Sequence, residues 1–225
     1  RGMLPVSCRF IAYHNRFGIG IVGREKLKDN IEDLADEVAR AVAMFENRGC
    51  VCPEVLFVER GGHAKVEAFE SLIAESLERL ASEWSSHVEP VFTSRERSVL
   101  RQVRDTMEIH QAVGSVRMLH GGLENWTVVS ELDLLQLPSL PGRSLRIRPV
   151  QNLEDVPSLL GESCRHIQSV GYAVDEDRVN DLAVLFGRVG ASRVVPFDGM
   201  SFPPAWWLHD GQGPLRALIG WVEVQ

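Results

Sequence analysis

The side chains of this sequence with the most reactive potential are two cysteines one residue apart, Cys50 and Cys52, at the join between a long amphipathic segment and a short apolar one. A thiol at such an edge can open onto a cleft, and as a thiolate it is a strong nucleophile. A cysteine is equally at home as a small buried hydrophobe, so C-x-C leaves both roles open. Joined to His63 the pair makes three metal-ligating side chains, but a fourth ligand at ordinary spacing is missing and no metal is expected. Gly18, Gly20 and Gly23 spell G-x-G-x-x-G, the string of a dinucleotide-binding turn. That turn needs its glycines after a strand, with a helix opening on the last one. Here Gly18 and Gly20 sit inside an apolar run and the next helix starts well after Gly23, so a glycine-containing strand is expected instead.

The elements that must position these groups alternate in type. Phe17 to Val22 reads as a buried strand. From Ile31 apolar residues recur at spacings of three and four, predicting a helix capped by Asn30 and stopped by Gly49. Val55 to Val58 reads as the next strand, ended by Gly61-Gly62. A second helix carries Val66, Phe69, Ile73, Leu77, Leu80 and Trp84 on one stripe, and a third runs from about Ser94 to Ala112. Its Arg97, Arg101 and Arg104 share a face that reads as solvated. Short strands are predicted at Ser115 to Met118, Trp126 to Val129, Leu145 to Ile147, Cys164 to Val170 and Arg193 to Val195. Helices are predicted over Asn152 to Leu160, from Asp175 (as cap) to Arg188, and from about Pro214 to Trp221. This order implies an α/β fold, three αβα layers around a mostly parallel sheet, in one domain.

With 225 residues and 44% apolar content the chain is long enough for a substantial core. Its 24 Lys and Arg against 31 Asp and Glu leave a net charge of −7, which makes nucleic acid and anionic membrane surfaces poor first partners. No apolar run reaches the roughly 20 residues of a spanning helix, so no membrane span is expected. Arg1 to Arg9 leads into polar-interrupted sequence, and no signal peptide is expected. Four sparse cysteines suit a reducing cytoplasm.

Phe45 to Gly62 (FENRGCVCPEVLFVERGG) resembles the active-cysteine segment of the aldehyde dehydrogenase superfamily, and most closely that of the bacterial long-chain acyl-CoA reductases, the reductase component of the bioluminescence fatty acid reductase complex. Counting back from Leu56-Phe57-Val58 selects Cys50 as the family cysteine, with Cys52 in a small-residue slot. Arg143 to Val150 (RSLRIRPV) is a second resemblance. Arg193 to Gly211 (RVVPFDGMSFPPAWWLHDG), followed by Pro214 to Glu223, is similar to the family's closing pattern.

The resemblance implies an aldehyde dehydrogenase-like catalytic domain over residues 1–225. Superfamily members place a cofactor-binding domain ahead of the catalytic one, so with Arg1 just before the first strand that domain is expected to be largely absent. Hydrolytic members carry Glu-Leu-Gly-Gly-Lys upstream of the cysteine. Here the stretch is Ala12-Tyr13-His14-Asn15-Arg16, with Ala12 near the Glu slot and Arg16 at the Lys slot. Without that base, water attack on an acyl-enzyme is expected to be slow. The implied activity is reduction of an acyl-CoA, or an acyl carrier thioester, to the aldehyde: Cys50 thiolate takes the acyl group and NADPH supplies hydride. For proton handling the candidate is His209, because its acidic neighbour Asp210 can orient a ring nitrogen; the other role of His-Asp-Gly is a turn and cap starting the last helix, and His14 is a weaker candidate. Phe202, Trp206 and Trp207 are offered as lining for the acyl chain, or as simple packing. Implied partners are a second copy of the chain and acyl-transfer enzymes. The alternatives are a reductase of another activated acyl group, such as an acyl phosphate, and a non-catalytic oligomerisation module.

Overall fold

The computed structural model describes residues 15–85, 92–122, 125–131, 140–213, 215, 218–220 and 222–224. Seven strands form one sheet: β1 (Phe17–Val22), β2 (Pro53–Glu59), β3 (Val116–His120), β4 (Trp126–Glu131), β5 (Arg143–Val150), β6 (Ile167–Ala173) and β7 (Arg193–Pro196). Their order is β3-β4-β5-β2-β1-β6-β7. All neighbours pair in parallel except β3, which runs antiparallel along β4 at one edge.

The helices are α1 (Ile31–Ala43), α2 (Val66–Ser85), α3 (Ser94–Ala112), α4 (Val156–Leu160), α5 (Glu176–Val189) and α6 (Phe197–Met200). Side-chain alternation along the strands separates two faces. Leu56 and Val58 of β2 enter the core beneath α1, α2 and α6, while Val55 and Phe57 enter the core beneath α4 and α5. On β4, Val128 joins the first core and Val129 meets Leu100, Val103 and Met107 of α3 on the opposite face. The three layers follow directly from these alternations.

Several boundaries differ from the sequence reading, each for a local reason. Helix α1 ends at Ala43, six residues before Gly49, because Phe45, Glu46 and Asn47 turn left-handed. Asn30 precedes α1 as expected but sits at φ 58° and makes no side-chain cap; asparagine tolerates that conformation, and here the backbone turn starts the helix. Asp175 likewise makes no cap bond, and its carboxylate pairs with Lys26 at 2.7 Å. Cys164 lies in a 3-10 turn (Gly161–His166), so β6 starts only at Ile167. Among the described residues from 212 to 224 there is no α-helix. Leu215, Leu218 and Val222 are exposed there, and residues 214, 216, 217 and 221 of the expected last helix lie outside the described residues.

Arg104 departs furthest from its solvated reading. It is 6% exposed and reaches across to β4, donating to Thr127 Oγ1 at 2.8 Å and to the Trp126 carbonyl at 2.9 Å. A third bond goes to the Gly122 carbonyl at 3.2 Å. These are neutral oxygens that satisfy a desolvated cation, so Arg104→Leu strands them and is expected to lower stability by about 2 kcal/mol in denaturant unfolding. Arg101→Leu, one turn away on an exposed site, is expected to change stability by less than about 0.5 kcal/mol.

Candidate active site

In many open parallel sheets ligands gather at the carboxyl ends of the strands. Here the chemistry-bearing residues collect at the opposite edge. Helix α1 runs back across the sheet, and the chain re-enters it through Gly49 to Cys52 before β2 begins at Pro53. Arg16 immediately precedes β1 and His166 immediately precedes β6, so both stand beside that turn. A cleft of about 820 Å³ opens there, lined by Arg16, Arg48, Cys50, Glu54, Ser163 and His166 among others.

The two cysteines have different surroundings. Cys50 is half-buried and lines the cleft. Cys52 is fully buried, its thiol donating to the Met44 carbonyl at 3.3 Å, and burial pushes its pKa up to about 11. Burial raises the Cys50 thiol too. Asp210 adds to that rise, while the residue's own backbone amide and the charge of Arg16 pull the other way. At rest Cys50 is therefore a thiol set between one cation and one anion, and Cys52 is a packed side chain.

The glycines of β1 explain how the turn is seated. A Cβ on Gly18 would lie 2.3 Å from the Cys52 carbonyl oxygen, and one on Gly20 would lie 2.6 Å from Leu56 and 2.8 Å from Phe197. The G-x-G string is thus a strand pressed against the cysteine turn and against α6, with no room for a phosphate. Gly18→Ala must push the Cys52 peptide aside. It is expected to cost about 2 kcal/mol, checked by thermal unfolding.

The tail brings Asp210 to the same place. Arg16 Nε pairs with Asp210 Oδ1 at 2.9 Å, and Arg16 also donates to the carbonyls of Ile167 (3.1 Å) and Gly190 (3.2 Å). Asp210 sits at φ 54°, and His209 Nδ1 approaches its Oδ2 at 3.5 Å. The His209 ring meets Trp207 edge-on at 4.7 Å, and Arg193 lies 5.8 Å over the Trp207 ring. Trp206 is 79% exposed. Phe202 lies elsewhere. It lines a separate hollow of about 200 Å³ with Met44, Trp84, Phe197 and Ser201, and its ring meets Phe45 edge-on at 6.4 Å. The structure therefore gathers Cys50, Arg16 and Asp210, with His209 adjoining, and distributes the three aromatics over different surfaces.

Arg48, Glu54 and His166 were not singled out from sequence as site residues, although each flanks an element end that borders the cysteine turn. Ala12, His14 and Cys8 lie outside the described residues. Among the described residues no group of three or more His, Cys, Asp or Glu side chains is placed to hold a metal ion, and His63 is remote from the cleft lining.

A protein-family model described as "Acyl-CoA reductase (LuxC)" matches residues 1–221. No curated protein matches by sequence. Solved structures that share the fold include a methylmalonate-semialdehyde dehydrogenase from Oceanimonas doudoroffii, at 12% identity and TM-score 0.67, covering 87% of this chain and 41% of that one. An oxidoreductase from Marinobacter aquaeolei aligns at 16% identity and TM-score 0.62, covering 84% of this chain and 40% of that one. An indole-3-acetaldehyde dehydrogenase from P. syringae, solved in complex with NAD+ and IAA, aligns at 13% identity and TM-score 0.57, covering 81% and 38%. The chain thus has the aldehyde dehydrogenase-like α/β fold, and spans about 40% of the length of these structures.

Proposed function

This chain belongs to the acyl-CoA reductase (LuxC) family, and from that premise we propose that it is the catalytic domain that receives the acyl group of a long-chain acyl-CoA on Cys50 for reduction to the aldehyde. The observation that carries the reading is the contrast within C-x-C: Cys50 opens on the cleft, while Cys52 is buried and held protonated.

In the transfer, the Cys50 sulfur attacks the thioester carbonyl. A sulfur–carbon bond forms, the bond to CoA sulfur breaks, and CoA leaves as a thiolate that takes up the proton Cys50 has given away. The negative oxygen of the tetrahedral species needs donors already in place, and the backbone N–H of Cys50 is assigned that role. Asp210 and His209 carry the proton, with Arg16 holding Asp210 at the cleft mouth. Water attack on the acyl-cysteine is disfavoured because the sequence has Ala12 where hydrolytic relatives place a glutamate.

A nicotinamide cofactor, NADPH in this reading, supplies the hydride that turns the acyl-cysteine into aldehyde. The G-x-G stretch offers no cradle for its phosphates, since the space at Gly18 and Gly20 is filled by neighbouring side chains and backbone. Of the aromatics offered for the acyl chain, Trp207 packs on His209 beside Asp210, whereas Phe202 lines the separate hollow with Phe45 at its side. The exposed Leu215, Leu218, Val222 and Val224 support association with a second copy, which sedimentation of the chain would show as a dimer or larger.

Incubation with a long-chain acyl-CoA tests the assignment. An acyl mass on the peptide containing Cys50 is expected, and acylation persisting in Cys50→Ala would overturn it. The same incubation with an acyl carrier thioester and an acyl phosphate ranks the donors.

A further inference from the structure

Phe45, Glu46 and Asn47 hold φ of 53°, 54° and 52°, in the segment that joins α1 to the Cys50 turn. Three successive left-handed residues, none of them glycine, are costly for L side chains, so something outside the segment must hold them. Contacts from the first residues of β5, with one from the first residue of β2, do so. Arg143 is 2% exposed and donates from Nε at 3.1 Å and Nη2 at 2.7 Å to Glu46 Oε1. Its guanidinium carbon lies 5.3 Å from the centre of the Trp84 ring. Asn47 Nδ2 donates to the Ser144 carbonyl at 2.6 Å and to the Pro53 carbonyl at 3.4 Å.

The run is tied in turn to the cysteines. The Arg48 amide donates to the Phe45 carbonyl at 3.1 Å, Cys52 N to the Gly49 carbonyl at 2.9 Å, and Cys52 Sγ to the Met44 carbonyl. Among the described residues, Glu46 Oε2 and Asn47 Oδ1 nonetheless have no hydrogen-bond partner, and both atoms are buried. A half-buried carboxylate with one oxygen idle is a poor stabilising device, because its desolvation is only partly compensated. What the pair does achieve is a fixed backbone direction.

We propose that the Arg143–Glu46 ion pair is a positioning device for Cys50, locking the left-handed run so that the turn after it presents the Cys50 sulfur to the cleft between Arg16 and Asp210. Arg143 lines neither cleft nor hollow and acts only through Glu46. The inference rests on Cys50 being the nucleophile of the proposed transfer, and its test includes a readout that does not depend on that transfer.

The full chain is compared with Glu46→Ala, Glu46→Gln and the paired replacement Glu46→Leu with Arg143→Met. The pair fills the space with apolar groups and leaves no unpaired charge should Glu46→Ala fail to fold. Two rates are followed: single-turnover acyl transfer from a long-chain acyl-CoA, and alkylation of Cys50 by iodoacetamide across pH. In Glu46→Ala and in the paired variant, transfer is expected to slow about 100-fold, as for a misplaced nucleophile. Alkylation is expected to speed up and its half-rise to move to lower pH, because the freed thiol leaves its desolvated seat beside Asp210. Glu46→Gln keeps an oxygen for Arg143 and is expected to restore both rates to within about threefold. An alkylation profile in folded Glu46→Ala or in the paired variant that superimposes on that of the native chain overturns the proposal and leaves the pair a purely structural contact. If the native chain takes up no acyl group, the proposed transfer falls, and the alkylation profile alone decides the positioning.

Discussion

Cys50→Ala is expected to reduce acyl transfer from a long-chain acyl-CoA by more than about 1,000-fold in single turnover, while Cys52→Ala stays within about threefold of the native chain. The asymmetry follows from the environments. Cys50 lines the cleft, whereas Cys52 is fully buried with its thiol spent on the Met44 carbonyl. The pH dependence has a definite sign as well. Because burial and Asp210 raise the Cys50 thiol, the reactive thiolate is a minor species at neutral pH, and transfer should climb about tenfold per unit as pH rises toward the thiol's pKa. Asp210→Asn removes one cause of the rise and releases Arg16, whose charge favours the thiolate, so both effects move the profile to lower pH. Because Asp210 with His209 also carries the proton, Asp210→Asn lowers the plateau in addition to moving the midpoint. A stopped-flow profile of CoA release separates the two. Equal losses in Cys50→Ala and Cys52→Ala would end the assignment of the nucleophile.

The cysteine was legible because its signals are local: an amphipathic helix before it, a β-branched strand after it, and the counted distance between them. The strand and helix order was legible for the same reason, since periodicity is a property of neighbours in sequence. What holds the cysteine in place was not. Arg143 and Glu46 are 97 residues apart, and nothing in either segment marks them as partners. The left-handed run was hidden because Phe45 and Glu46 are not residues that announce such a turn; a glycine would have been. Arg104 was misread because spacing places three arginines on one helix face without saying which of them lies over a strand. Of the helix expected from about Pro214 to Trp221, residues 214, 216, 217 and 221 lie outside the described residues, and the described ones between them form no α-helix.

The sheet's other edge carries the largest predicted effect on stability. Glu59 ends β2 with its side chain 2% exposed and takes bonds from Arg178 (2.9 and 3.0 Å), Arg24 Nε (3.1 Å), and the amides of Arg24 (3.2 Å) and Leu153 (3.1 Å). Burial alone would raise its pKa. The two guanidinium groups and two amides outweigh burial and hold the carboxylate down at about 2. With the folded pKa below the unfolded one, near 4.3, this stabilisation is fully present above the unfolded value and is lost as pH falls from about 4 to 2. A shift of that size corresponds to about 3 kcal/mol at neutral pH. Glu59→Gln also turns an amide N–H₂ toward arginine donors and leaves Arg178 short of its main partner, so a loss of about 3–5 kcal/mol is expected in urea unfolding at pH 7. The variant should also lose the steep fall in stability that the native chain shows between about pH 4 and 2. Because Glu59 closes the carboxyl ends of the strands and Cys50 stands at their amino ends, alkylation of Cys50 in the folded variant should proceed at the native rate. A loss below about 1 kcal/mol would mean that water enters the cluster and screens it. A changed Cys50 rate would mean that the two edges of the sheet are coupled through β1 and β2.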